Sequence, residues 1–388
     1  MSTPSPGREE ALGACAGCLR RSWLLAELSP VLDRNCRADD RLFELLALED
    51  SELIAALGGR RRGEIERSYA RLDPRELSPA HRNEAICCHD SRYPRGLADR
   101  GAPRLLHVAG GLARLCGLAN GPLVTILGAK RASEYGAQTA HDLARELASS
   151  GVTVIAERAA GIALAVQQGA LEGNGATITV AGDGLAVPPA KARGRVYERL
   201  TRDGCVVAEL PADARGRAWG ATAGLRIAVG LGATTVVVEA EENPRELRCA
   251  RIARELGRPL AAVPGQITSP RSSGCHALLR DDARLVRDAE DVLDVLYGLD
   301  RQTSHAQPPS TVLPPLPSSL REVLKRVGAG TDTPSGLTAG RRDAAEVLKA
   351  LSELELLGLL GRGDGGRYVI RDGRRESALR YGVNRTQQ

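Results

Sequence analysis

Gly128-Ala129-Lys130-Arg131-Ala132-Ser133 is the stretch with the clearest chemical potential. Small residues there let the backbone turn sharply into a helix start. Free N–H groups and the helix dipole at such a start favour an anion. Lys130 and Arg131 add formal positive charge at the same spot, so the expected chemistry is phosphate binding. Gly128, Gly161, Gly182 and Gly184 have two readings: backbone approach to phosphates, or tight strand-to-helix turns. Ser133 is either a ligand or the N-cap of the helix that follows. A second basic stretch lies between Gly184 and Arg226. Lys191, Arg193, Arg195, Arg199, Arg202, Arg215 and Arg217 outnumber Glu198, Asp203, Glu209 and Asp213 there, and Lys191 joins the candidate set. A solvated helix face is the preferred reading for Arg199 and Arg202.

Covalent and metal chemistry have less support. The six His show no ligand spacing, and no motif places a Ser/His/Asp or Cys/His set. Nine Cys are scattered through a long chain, and an odd count argues against a disulfide framework. Cys15 and Cys18 form a lone CxxC. A zinc site would want a second pair, and Cys36 and the Cys87-Cys88 doublet are what lies within reach. Reduced, partly buried thiols are the favoured reading, so neither metal nor cofactor is expected.

Positioning these residues requires regular elements. Leu123–Leu127, Val152–Ile155 and Thr177–Ala181 are short runs rich in Val, Ile and Thr, too short for helices, and read as buried strands. Helix-period segments lie between them, at about 133–149 and 161–172. The alternation continues with helices near 190–202, 223–231 and 243–256 and strands at 205–210, 234–239 and 260–263. Helices near 276–280 and 288–299 close the domain. The pattern predicts an α/β fold with a doubly wound, mostly parallel Rossmann-like sheet. Residues 1–10 are expected to be disordered, and 11–85 to form a small helical module of the SAM or helix-hairpin-helix kind. Residues 86–300 are expected to form the core, after a lead-in with a short strand. Five prolines fall within 302–319, which predicts an extended linker over 301–319. Residues 320–372 read as three helices and a hairpin, a winged helix, followed by a basic tail at 373–388.

Apolar content of 43% marks a globular chain, and the net charge of +5 permits a nucleic-acid partner without demanding one. No apolar run approaches a bilayer span and no signal-peptide block opens the chain, so a cytoplasmic protein is expected.

The order of motifs resembles the DprA/Smf family of DNA-processing proteins. The matching pieces begin with Tyr93-Pro94, Leu97 and Pro103, then Leu127 through Lys130, Ser133 and Tyr135-Gly136. They continue through Gly161-Ile162, Gly169-Ala170-Leu171, Gly182-Asp183-Gly184, Ile227–Leu231 and Val238-Glu239-Ala240. Gly257-Arg258, Ala262 through Gly265, and Gly274 through Leu278 complete the set, collinear over roughly residues 90–300. The resemblance implies single-stranded-DNA binding in a positive pocket, dimerisation through the Rossmann-like domain, and loading of RecA recombinase in natural transformation. It implies no turnover chemistry. Within that pattern Lys130 stands where the family has Arg, a point charge in place of a bidentate fork. Ala156-Glu157, Ala163, Gln167 and Ala186 replace polar family residues. Arg226 is what remains of an Arg-Asn-Arg triplet, either a phosphate contact at the pocket edge or a core-capping Arg. Trp219, near the family's aromatic position, and Tyr197 would offer stacking surfaces. Arg245 would supply a replacement charge at the start of a helix facing the crevice, and His276 is expected to be structural. Two other functions compete. One is a scaffold with a degraded DNA pocket. The other is a nucleotide-processing enzyme of the same superfold, whose Pro-Gly-Gly-x-Gly-Thr loop this sequence lacks.

Overall fold

The computed structural model describes residues 13–35, 40–73, 84–97, 102–173, 175–187, 194–242, 247–299, 316–328, 331–338, 344–357, 359–362 and 367–370. Four helices come first: α1 (Ala16–Asn35), α2 (Asp40–Ala47), α3 (Asp50–Leu57) and α4 (Arg62–Arg71). Strands β1 (Ala85–Cys87) and β2 (Leu105–Ala109) follow, then helix α5 (Leu112–Ala119). The repeating part runs β3 (Leu123–Leu127), α6 (Glu134–Ser149), β4 (Thr153–Glu157), α7 (Ile162–Glu172), β5 (Thr177–Ala181), α8 (Gly194–Asp203), β6 (Cys205–Ala208). It continues α9 (Arg217–Leu231), β7 (Thr234–Val237), α10 (Arg248–Glu255), β8 (Leu260–Ala262), α11 (Ser273–Arg280), β9 (Arg284–Leu285) and α12 (Ala289–Tyr297).

Among the described residues nine strands form one sheet in the order β1-β2-β6-β5-β4-β3-β7-β8-β9. All neighbours are parallel except β1 with β2 and β2 with β6. The chain winds outward from β3 to β6, then returns through α9 to β7 on the other side of β3. That return defines a doubly wound sheet with its switch point between β3 and β7.

Both faces are covered, which is why β3 is buried at all five residues and apolar at every one but Thr125. Val124, Ile126, Val154 and Val236 pack one face against Ala140, Leu143 and Leu147 of α6 and Val166 of α7. Ile155, Ile178 and Val207 pack the other against Ile227, Ala228 and Leu231 of α9. Some threonines inside the sheet satisfy their hydroxyls on carbonyls, although those of Thr179 and Thr235 find no partner among the described residues. Thr125 donates to Ala228 O and Thr177 to Val154 O, both at 2.7 Å.

Several elements differ from the sequence expectation. Helix α5 and strand β9 were not foreseen, and the helix expected at 223–231 starts six residues earlier. The helices expected near 190–202 and 243–256 are seen from Gly194 and Arg248 onward; residues 188–193 and 243–246 lie outside the described residues, as do 1–10, most of the linker and the basic tail. The N-terminal helices share a core with the sheet domain. Leu24, Leu28, Leu32 and Leu53 pack with Leu210, Trp219 and Ala223, inside one compact unit spanning 1–301.

The second unit spans 302–388. It contains α13 (Ser318–Gly328), α14 (Pro334–Thr338) and α15 (Ala344–Leu356), then an antiparallel pair, β10 (Leu360–Arg362) and β11 (Tyr368–Ile370). Leu320, Leu324, Leu337, Leu351, Leu354 and Tyr368 form its core.

Candidate nucleic-acid interface

Open α/β sheets bind ligands where the loops leave the strands at the switch point. Here those loops follow β3 and β7, and they are tied together from within. Ala129 N–H donates to Glu239 O at 2.7 Å. The Glu239 carboxylate, 4% exposed, accepts from Ser133 N–H at 2.9 Å and from the Ser133 hydroxyl at 2.5 Å. Ser133 Oγ in turn accepts from Gly136 N–H at 3.0 Å, which makes Ser133 the N-cap of α6. A Cβ at Gly136 would lie 2.4 Å from Glu239 Oε2, so glycine is what lets the carboxylate settle on the helix end. The anion that the α6 N-terminus favours is therefore supplied by the chain itself. Ser133 is a cap, and Glu239 anchors the loop.

The same device recurs at α9. Ala218 N–H donates to Asp33 Oδ1 of α1 and Gly216 N–H to Asp183 Oδ1, both at 2.9 Å. The glycines expected to approach phosphate approach backbone instead. Gly161 has φ +67°, and a Cβ there would stand 2.3 Å from Ala129 O and 2.5 Å from Lys130 O. A Cβ on Gly184 would stand 1.9 Å from Pro211 O, and one on Gly128 would meet the Ile162 side chain at 2.7 Å. These positions follow the turn-and-packing reading.

Two expected ligands, Trp219 and Arg226, prove to be interior, and a third, Tyr197, is half-buried. Trp219, expected to stack on a base, is 1% exposed and donates its indole N–H to Ser29 Oγ at 2.9 Å beneath α1. Tyr197 donates to Leu185 O at 3.0 Å, and the Arg158 guanidinium covers its ring at 5.6 Å from the centroid. Arg226 and Glu209 form a buried ion pair at 2.8 Å, under a region where Ser22 and His107 also meet at 2.8 Å. Arg226 is thus the core-capping residue of the two readings. Glu209 follows β6, three strands from β3, so about 14 Å of sheet separates it from the β3 strand end that carries the Lys130 loop. Lys191 and Arg245 lie outside the described residues.

Side-chain cations supply the positive surface that remains. Lys130 and Arg131 are exposed on the loop after β3, and Arg215 and Arg217 are exposed around the start of α9. Arg202 is neutralised by Asp203 at 2.9 Å, and Arg199 lies 3.9 Å from the same carboxylate, as a solvated face would have them. Sequence reasoning missed Arg158, which directly follows β4 and reaches Val187 O at 3.1 Å and Asp183 at 3.8 Å. Its neighbour Glu157 had drawn the attention. Gln167 bonds Glu157 O at 2.8 Å and holds that strand end, while His276 meets Gly265 O at 3.1 Å and is structural. Burial pushes Cys249 up to about 12 and Cys205 up to about 11, so neither thiol ionises near neutrality.

These features define a Rossmann-like α/β protein whose rim carries charge on side chains, the starts of α6 and α9 being satisfied internally. The sequence pattern of the family described as DNA recombination-mediator protein A matches residues 84–297. The chain belongs to that family. It is 30% identical over 336 residues to the putative DNA processing protein DprA of Mycobacterium tuberculosis, covering 86% of this chain and 83% of that protein. It is 32% identical over 301 residues to protein Smf of Escherichia coli, covering 74% of this chain and 78% of that one. The X-ray structure of DNA processing protein A from Streptococcus pneumoniae superposes with a TM-score of 0.58 at 27% identity, covering 71% of this chain and 95% of the other. Among the described residues no helix is long and apolar enough to cross a membrane.

Proposed function

We propose that this protein is a recombination mediator that binds single-stranded DNA along the loops leaving β3 and β6. The observation that carries this reading is the exposure of Lys130 and Arg131 at the switch point, in a chain of the DNA recombination-mediator family. Arg215 and Arg217 extend the track. Point charges on flexible stems bind phosphates without reading bases, so binding is electrostatic and sequence-tolerant. The role extends to loading RecA recombinase during natural transformation, in the cytoplasm, as a homodimer and without turnover chemistry. The second unit fits a winged helix. Its third helix exposes Leu348 and Leu356 beside Glu346, a surface better suited to protein than to a duplex groove.

Fluorescence anisotropy of an oligo-dT ligand, titrated at several salt concentrations, tests the reading. Each lost phosphate contact on a single strand reduces the log–log salt slope by about 0.7. The Lys130→Ala, Arg131→Ala double variant is expected to bind more weakly, with a slope shallower by about 1.4. An unchanged slope would remove Lys130 and Arg131 from the DNA path.

The internally satisfied ends of α6 and α9 favour a second reading, a scaffold that has given up its DNA pocket. Under it the wild type binds RecA yet shows no salt-dependent DNA retention.

A further inference from the structure

We propose that Cys15, Cys18, Cys87 and His89 form a structural zinc site that fastens α1 to the edge of the sheet. Sequence spacing offered the CxxC, with Cys36 and the Cys87-Cys88 doublet as possible partners and no role for His89. The fold brings its partners from β1 and the turn beyond it, 69 residues further on, as Cys87-x-His89.

The four ligand atoms lie within 4.8 Å of one another. His89 Nδ1 stands 3.4 Å from Cys15 Sγ, 3.5 Å from Cys18 Sγ and 3.8 Å from Cys87 Sγ. A tetrahedral zinc with ordinary Zn–S and Zn–N bonds requires S···N edges of about 3.5 Å. No disulfide joins these cysteines. One nitrogen facing three free thiols at tetrahedral edge lengths is a poor hydrogen-bonding arrangement and a good coordination sphere.

The start of a helix stands beside the ligands. Cys15 and Cys18 flank the start of α1, a 20-residue helix whose positive end stabilises negative charge. Cys15 N–H donates to Cys87 Sγ at 3.4 Å. Three thiolates and a neutral imidazole around a divalent ion carry a net charge of −1, which the helix end offsets. Binding releases the three thiol protons and changes no oxidation state. Four protein ligands close the coordination sphere, which marks the site as structural and not catalytic.

Position agrees with that role. Cys18, Ala85, Cys87 and Leu105 form only a small apolar cluster, and Cys87 N–H reaches Gly13 O at 3.2 Å. A metal at this point adds a crosslink where the apolar core is thin. Cys88 Sγ also lies 3.8 Å from His89 Nδ1, but Cys88 is exposed where Cys87 is buried, so Cys87 is assigned as the ligand.

Metal analysis of the full chain by mass spectrometry, after purification and again after stripping and reloading with zinc, tests the site. About one zinc per chain is expected, with cobalt substitution giving thiolate-to-cobalt charge transfer and the visible band of a tetrahedral ion. Removing the metal is expected to lower Tm by roughly 5 °C or more and to expose three additional thiols to a disulfide reagent. Cys18→Ser and His89→Ala should lose the metal, while Cys88→Ser and His89→Cys should keep it. Failure of the wild type to take up zinc on reloading would overturn the proposal. So would a Cys15–Cys18 disulfide in the purified chain, or full zinc retention in His89→Ala.

Discussion

Arg226 illustrates how a side chain kept from a binding motif acquires a different task. Its guanidinium lies 8% exposed against Glu209, and Arg226 Nε and Nη1 have no hydrogen-bond partner among the described residues. A buried pair of this kind contributes little relative to apolar residues of equal size, but losing one partner strands the other charge. Arg226→Ala is therefore expected to destabilise the fold by about 3–5 kcal/mol in urea unfolding. An Arg226→Met, Glu209→Leu double variant should recover most of that loss. If Arg226→Ala instead leaves the urea midpoint unchanged and weakens oligo-dT binding, the residue belongs to the interface after all. Tyr93 lies in the same buried region: burial, then the Glu209 charge, push its phenol well above the ordinary value, so it stays protonated. Its hydroxyl donates to Pro103 O.

At the scale of elements, α6 is organised by a residue from another strand. Glu239→Ala is expected to cost about 1–3 kcal/mol, because Ser133 N–H and its hydroxyl lose their buried acceptor. The vacated helix end would then favour an external anion, so sulfate should raise the Tm of this variant more than that of the wild type. Equal sulfate responses would show that the Glu239 carboxylate does not stand in for a ligand. Strand positions were legible because Leu123–Leu127 and Thr177–Ala181 are too apolar and too β-branched to be anything else. The Ser133 cap was legible too. Trp219 was not, since an aromatic near a basic helix start looks the same in sequence whether it faces water or lies under α1. Nor was the Cys87–His89 partner set, because proximity to Cys15 and Cys18 exists only once β1 lies beside the start of α1. Helix α5 escaped notice because it is short and lies between Gly-rich turns.

For the whole molecule, a sheet with both faces covered and a separate unit beyond the proline-rich stretch follow from the order of periodic segments, and that much could be read in advance. The boundary between the helical module and the core could not. Composition shifts at about residue 85, yet the apolar residues of α1 and α3 find their partners on α9.

The family pattern begins at residue 84, and a shorter protein cut there would seem natural. Such a fragment would leave the indole of Trp219 without its roof and the Ala218 N–H of α9 without its Asp33 acceptor. Because Trp23 departs with the removed segment, a single tryptophan remains to report the damage. Its emission should shift to the red and the fragment should self-associate, whereas an unshifted spectrum would mean that the sheet and its return helix stand upright unaided.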